Sequence, residues 1–330
     1  MNIVQKIKKE AEGLKAKIIF PEATDERILK AAEESARKKI IKAILVGEEN
    51  EIKAKAKSLG LKIRNIEIIN PSKSRNLKKY ALILSKKLKI SEKTAEIIVK
   101  KPLFFSAAAL ESGDVDAMVA GAVHTSGEVI AVSKEIIGLQ KGISVPSSFF
   151  LMTVPNYKGG EKGTLMYADS SVNPNPTAEQ LADIAIISGE TAKNLLKWKP
   201  RIAMLSFSTK GSAEHADVCK VIKETEIARK KSKMEIDGEM QADAALVMLT
   251  AKRKMKNIGK VAGKANILIF PDLDAGNIAY KLTQILAKAS AYGPVLQGFA
   301  KPVSDLSRGA TVEDIKGVIA LLAVWSKRKK

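Results

Sequence analysis

The chain has 330 residues, 45% of them apolar, with 56 basic against 36 acidic residues and a formal net charge of +20. That apolar content supports a packed globular core and excludes disorder, and the length suits two domains better than one. No apolar run approaches the roughly 20 residues that cross a bilayer, and the lone cysteine, Cys219, excludes an internal disulfide and suits a reducing, cytoplasmic setting.

The lysines are spread along the chain and aromatics are only 5%, so the charge reads as solvated helix faces able to steer an anionic ligand, not as a nucleic-acid surface. The N-terminal segment MNIVQKIKKEAEGLKAK reads as an amphipathic surface helix with acids, unlike a signal peptide. Short β-branched runs at residues 17–20, 41–46, 66–69 and 117–120 read as buried strands. Residues 25–38, 49–58 and 102–112 between them read as helices. This alternation predicts a parallel, helix-covered sheet. Near Gly142 the character changes, and VPSSFFLM followed by GTLMYAD predicts a new sheet. Helices are expected at 177–196 and 213–230, with Cys219 a small core residue in the second.

A strand at 202–205 leads into a loop of Ser206, Ser208, Thr209, Lys210, Gly211 and Ser212. Hydroxyls, N–H groups and a lysine at a strand end can cradle phosphate, or can form a polar turn capping the next helix. Thr125 and Ser126, after Gly121 and Ala122, allow the same two readings, with Ser126 a reasonable N-cap. A strand at 266–270 precedes DLDAGN, where Asp274 is a candidate cap and Asn277 and Tyr280 are candidates to face a ligand. His124 and His215 are far apart and no Cys/His cluster accompanies them, so no metal site is expected. No glycine-rich dinucleotide fingerprint appears. A strand at 295–298 then runs into a proline-broken loop presenting Ser307, Arg308 and Gly309, and a helix at 311–325 carries Asp314. The terminal SKRKK reads as a frayed tail. A hydroxyl, a guanidinium and a carboxylate near one helix N-terminus suit an anion. The same residues can be purely structural, with Thr311 and Asp314 as a capping box and Arg308 paired to Asp305.

The strings PVSDLSRG and VEDI resemble the C-terminal signature of the phosphotransacetylases, the phosphate acetyl/butyryl transferase family. IIFPEATDERILKAA, DVDAMVAGAVHTSGEVI, YADSSVNPNPTAEQLADIAI, SFSTKGSAEH, DGEMQADAAL and GKANILIFPDLDAGNIAYKL resemble further family blocks, in family order and over nearly the whole chain. The resemblance implies two α/β domains with the active-site cleft between them. The first, at residues 1–142 plus 294–330, holds a mainly parallel helix-covered sheet and the signature. The second α/β domain, at 143–293, is inserted.

The implied activity is reversible acetyl transfer between acetyl phosphate and coenzyme A, by direct thiolate attack in a ternary complex with no tightly bound cofactor. In that reading Asp314 matches the base, Arg308 the phosphate-binding arginine and Ser307 its hydrogen-bonding serine. Thr125, Ser126, Ser206, Ser208, Thr209, Lys210, Gly211, Asn277 and Tyr280 would hold substrates. A homodimer is implied, with no nucleic-acid or membrane partner. Two family arginines are replaced here by Ser85 and Ala131, which bears on efficiency and acyl choice. The alternatives are transfer of a propionyl or butyryl group, and a non-catalytic acyl-CoA-sensing module, against which the absence of a fused catalytic domain argues.

Overall fold

The computed structural model describes residues 3–328, which form two compact units: residues 3–141 with 299–328, and residues 142–298. With elements numbered along the chain, the first unit holds β1 (Ala16–Phe20), β2 (Ile41–Val46), β3 (Glu67–Ile69), β4 (Ala117–Ala120) and β11 (Val303–Asp305). They run parallel in the order β3-β2-β1-β4-β11. Strands covered on both faces need side chains that are apolar in both directions. Hence β4 is buried at every position and β1 at all but Lys17.

The covering helices are α1 (Ile3–Ala11), α2 (Glu26–Arg37), α3 (Glu49–Ser58), α4 (Leu77–Leu88), α5 (Glu92–Ile98), α6 (Pro102–Ser112), α7 (Ser126–Ile136) and α13 (Val312–Arg328). Local chemistry sets their ends. Pro102 opens α6, where its missing N–H costs nothing, and Gly113 closes it in the left-handed region at φ +83°. Helix α13 is buried almost all round from Ile315 to Ser326. It packs on α1, α2 and β1. Ion pairs tie it down: Lys316 to Glu34 at 2.9 Å, Lys8 to Glu313, and Arg328 to Glu10. Lys38 and Lys316 together pull the Glu34 carboxyl down to about 2. The expected frayed tail is therefore corrected at Ser326, Lys327 and Arg328, which complete α13; Lys327 also bonds Asp116 at 2.8 Å. Lys329 and Lys330 lie outside the described residues.

The second unit holds β5 (Ser147–Thr153), β6 (Thr164–Ala168), β7 (Arg201–Leu205), β8 (Glu235–Met240), β9 (Ile267–Ile269) and β10 (Ser290–Gln297), in the order β10-β5-β6-β9-β7-β8. The β10–β5 and β5–β6 pairs are antiparallel, and β6–β9, β9–β7 and β7–β8 are parallel. Its helices are α8 (Ala178–Leu195), α9 (Ala216–Lys231), α10 (Ala242–Leu246), α11 (Met248–Lys254) and α12 (Leu273–Leu286).

Asp169, just past β6, organises this unit. Its carboxylate accepts from the backbone N–H groups of Ser148, Ser171, Val172 and Asn173 and from the Asn173 amide at 2.6 Å. Gly276 lets α12 approach that turn, since a Cβ there would lie 2.2 Å from the Asp169 carbonyl oxygen. Three expectations are corrected here. Helix α9 begins at Ala216, not 213, because the His215 ring caps it by accepting from Asp217 N–H at 3.2 Å. Cys219 lies on the exposed side of α9, not in the core. Asp272, not Asp274, caps α12, accepting from Ala275 N–H at 2.8 Å.

Candidate active site

Parallel strands deliver their carboxyl ends to one edge of a sheet, and ligands in such folds bind in loops beyond that edge. In the first unit β1, β4 and β11 are neighbours. The loops that follow them are residues 21–25, 121–125 and 306–311. Each leads directly into a helix, α2, α7 or α13. Three helix N-termini, with their free N–H groups and positive dipole ends, therefore follow three adjacent strands.

Two buried or half-buried groups knit these loops together. Glu22 accepts from the N–H groups of Ala122 (2.7 Å), Val123 (3.0 Å) and His124 (2.7 Å), and bonds the His124 ring at 2.8 Å. Burial pushes its pKa up, but these hydrogen bonds prevail and hold it below the ordinary value. The same contact raises the His124 pKa. Arg27 spans all three loops. Its guanidinium donates to Asp25 at 2.9 Å, to the Ala122 carbonyl at 3.0 Å and to the Arg308 carbonyl at 2.6 Å. Neither role was assigned from sequence, although both residues stand in a block that carries the family resemblance. A charged pair, Glu22 and Arg27, flanking a strand-to-helix loop was the available signal.

The signature residues sit on this framework. Ser307 is half-buried, and its hydroxyl accepts from Gly309 N–H at 3.3 Å. Arg308 is exposed, and among the described residues its guanidinium forms no ion pair. The sequence-based pairing of Arg308 with Asp305 is corrected, because Asp305 is buried, with Oδ1 unpartnered among the described residues. Asp314 does cap α13: its Oδ2 accepts from Thr311 N–H at 3.0 Å and from the Thr311 hydroxyl at 2.7 Å. The second oxygen, Oδ1, has no partner among the described residues.

Thr125, not Ser126, is the N-cap of α7, in a full capping box with Glu128. The two family arginine positions carry no cation here. The Ser85 hydroxyl closes the end of α4 by donating to the Ile90 carbonyl at 2.7 Å, and Ala131 is exposed on α7.

The remaining predicted residues belong to the second unit. Ser206 to Ser212 follow β7, and the acids of β8 claim most of their donors. Ser208 is buried and bonds Glu239 at 3.1 Å; Gly211 N–H donates to Glu239 at 2.7 Å. Lys210 pairs with Asp237 at 2.8 Å, and Thr209 donates to Gln241 at 3.1 Å. The Ser206 hydroxyl accepts from Ser208 N–H at 3.1 Å. Asn277 is half-buried and donates to the Ser170 carbonyl at 3.1 Å. Tyr280 is a core residue, stacked on Phe150 with ring centroids 4.1 Å apart.

Comparison with known proteins covers both units of the chain. The family model described as Phosphate acetyl/butaryl transferase matches residues 2–323. The phosphate acetyltransferase of Clostridium acetobutylicum is 44% identical, covering 99% of both chains. That of Thermoanaerobacterium thermosaccharolyticum is 46% identical over 99% of this chain and 100% of its own. Among solved structures, a phosphotransacetylase from Streptococcus pyogenes superposes with a TM-score of 0.90 at 36% identity, covering 98% of each chain. This chain belongs to the phosphate acetyl/butyryl transferase family.

Proposed function

We propose that this protein transfers an acetyl group reversibly between acetyl phosphate and coenzyme A, and that the chemistry is centred on the β11–α13 loop. The observation that carries the reading is Arg308, an exposed guanidinium without an ion pair among the described residues, beside the Ser307 hydroxyl at the start of α13. A planar fork next to a helix N-terminus binds a phosphoryl group in two places at once. In this reading Arg308 and Ser307 hold the phosphate of acetyl phosphate and stabilise the charge that develops on it. The coenzyme A sulfur attacks the acetyl carbonyl carbon, the carbon–oxygen bond to phosphate breaks, and inorganic phosphate leaves. The thiol proton passes to Asp314, whose Oδ1 stays open while Oδ2 caps the helix. Attack is direct, within a ternary complex. Thr125, Ser126, Ser206, Ser208, Thr209, Lys210, Gly211 and Asn277 remain candidates for holding the substrates; the buried, stacked ring of Tyr280 fits a packing role better.

The measurement is thioester absorbance with purified protein, coenzyme A and acetyl, propionyl or butyryl phosphate. Turnover fastest with acetyl phosphate is expected. A faster butyryl reaction would reassign the acyl group, and binding of acetyl-CoA without any turnover would support the sensing alternative, which the missing arginines at Ser85 and Ala131 favour.

We also propose that the protein works as a cytoplasmic homodimer. Among the described residues no helix is long and apolar enough to cross a membrane. Helix α12 carries a stripe of Ile278, Leu282, Ile285 and Leu286, between 51% and 76% exposed in the single chain. Such a face at helical spacing suits self-association about a two-fold axis. Light scattering should give twice the mass of one chain, and Ile285→Glu should yield monomers; a monomeric wild type would remove the proposal.

A further inference from the structure

We propose that the first unit carries a second ligand site, at the amino ends of its strands, that takes a small molecule bearing two or more phosphates on an apolar body, the chemistry of a nucleoside di- or triphosphate. The site is a cleft of about 790 Å³ bounded by the turns that lead into β1, β2 and β3. That volume lies in the range of roughly 300–1,000 Å³ usual for small-molecule sites. Strand β3 pairs only with Ile44, Leu45 and Val46, so on that side the first half of β2 has no strand beside it, and the cleft lies there. The candidate active site stands beyond the carboxyl ends of the same sheet. The length of β1, roughly 15 Å, separates the two.

Charge is concentrated here. Lys15, Lys17, Arg37, Lys39, Lys42 and Lys62 line the cleft against two carboxylates, Glu33 and Glu67. Arg37 is paired with Glu33 at 3.2 Å, and Lys17 donates to the Asp114 carbonyl at 3.4 Å. Lys15, Lys39, Lys42 and Lys62 are exposed, and among the described residues their ammonium groups form no ion pair. On the neighbouring helices Lys30, Lys38 and Lys53 each hold a glutamate four residues back. The end of α2 accounts for Arg37 and Lys39, since cations suit a helix C-terminus. It does not account for Lys42, on a strand, or Lys62, in a turn, where no comparable dipole acts. Gly13 N–H donates to the Lys39 carbonyl at 3.2 Å, which draws the turns carrying Lys15 and Lys39 together.

Like charges gathered in a concave surface repel one another and focus their field on a counter-ion, so a multiply charged anion relieves the repulsion as it binds. The floor of the cleft is apolar: Ile41 and Ile44 of β2, with Ala36 and Ile66 half-buried beside them. A cationic rim alone would suit any anion. A cationic rim over an apolar floor suits a ligand that has both parts, phosphates for the lysines and a flat apolar group for the isoleucines.

The test is calorimetric titration of the full chain with magnesium-free ATP, tripolyphosphate and adenosine, which separate the joined ligand from its charge and from its apolar body. ATP should bind roughly ten-fold or more tightly than tripolyphosphate, and adenosine more weakly than either. Lys42→Glu combined with Lys62→Glu should weaken ATP by roughly ten-fold or more. Lys193→Glu combined with Lys233→Glu, at exposed positions of the second unit, changes the net charge equally and should leave ATP within about two-fold. Ala36→Phe fills the floor without touching charge and should weaken ATP but not tripolyphosphate; if it fails to fold, the two lysine pairs still decide. No binding at millimolar ATP would overturn the proposal, as would equal losses in the two lysine pairs, which would mean diffuse attraction. Tripolyphosphate binding as tightly as ATP would overturn the ligand class. ATP lost in Arg308→Ala and kept in the Lys42→Glu, Lys62→Glu variant would place it at the acyl-transfer loop instead. None of these readings needs turnover, so they stand apart from the test of the proposed activity.

Discussion

After β11, the loop of the first unit leaves the Arg308 guanidinium without an ion pair among the described residues, whereas after β7 the loop of the second unit gives Lys210 to Asp237 and Gly211 N–H to Glu239. Both loops offer a hydroxyl, a cation and a glycine at the carboxyl end of a buried strand. They differ in what stands beside them. An anion reaching Arg308 displaces only water. An anion reaching Lys210 must compete with the Asp237 carboxylate that already holds the ammonium. Open donors, more than the mere presence of donors, mark the loop where phosphate chemistry is favoured.

The comparison can be broken at several points. The largest effect is expected from Asp314→Asn. The amide oxygen can still accept from Thr311 and keep the cap, so the melting temperature should hold. Turnover should fall by roughly 100- to 10,000-fold, because the amide cannot take the thiol proton. Unchanged turnover would restrict Asp314 to its capping role. Arg308→Ala should cost roughly 3–4 kcal/mol of transition-state stabilisation, seen in kcat/KM for acetyl phosphate.

Glu22→Gln should act less strongly, and mostly on order. Losing the charge that gathers three N–H groups and His124 should lower stability by about 1–3 kcal/mol. The pH dependence sharpens this. The Glu22 pKa lies below its ordinary 4.5, so that contribution is present above 4.5 and is lost as pH falls through the folded value. The His124 pKa is raised above 6.5, so its contribution is complete below 6.5 and is lost as pH rises through the folded value. The wild-type advantage in melting temperature over Glu22→Gln should therefore be greatest between these limits and shrink as pH rises through the folded His124 value. A difference that grows as pH rises through that value would contradict the pairing. Lys210→Ala should have the smallest effect, since Arg229 still reaches Asp237.

Much of this was legible in the sequence because period and composition report burial. The continuous apolar runs of β1, β2 and β4 and the proline and glycine limits of α6 need no tertiary information. The Ser307–Arg308–Asp314 cluster was legible because its members lie within eight residues. Glu22 and Arg27 were not assigned, because what each does depends on a loop about 100 or 280 residues away in the chain. The acids of β8 escaped for the same reason: nothing near Lys210 in sequence announces Asp237 or Glu239. Cys219 and the start of α9 were misread because an amphipathic pattern gives a helix but leaves its rotation and first turn to the cap, here His215.

The most direct test sets Arg308→Ala beside Lys210→Ala, with kcat/KM measured for acetyl phosphate at saturating coenzyme A. The geometry predicts a loss of roughly 100-fold or more for Arg308→Ala and a change within a few-fold for Lys210→Ala. A large loss at Lys210 with little change at Arg308 would move the phosphate site to the second unit and contradict the account.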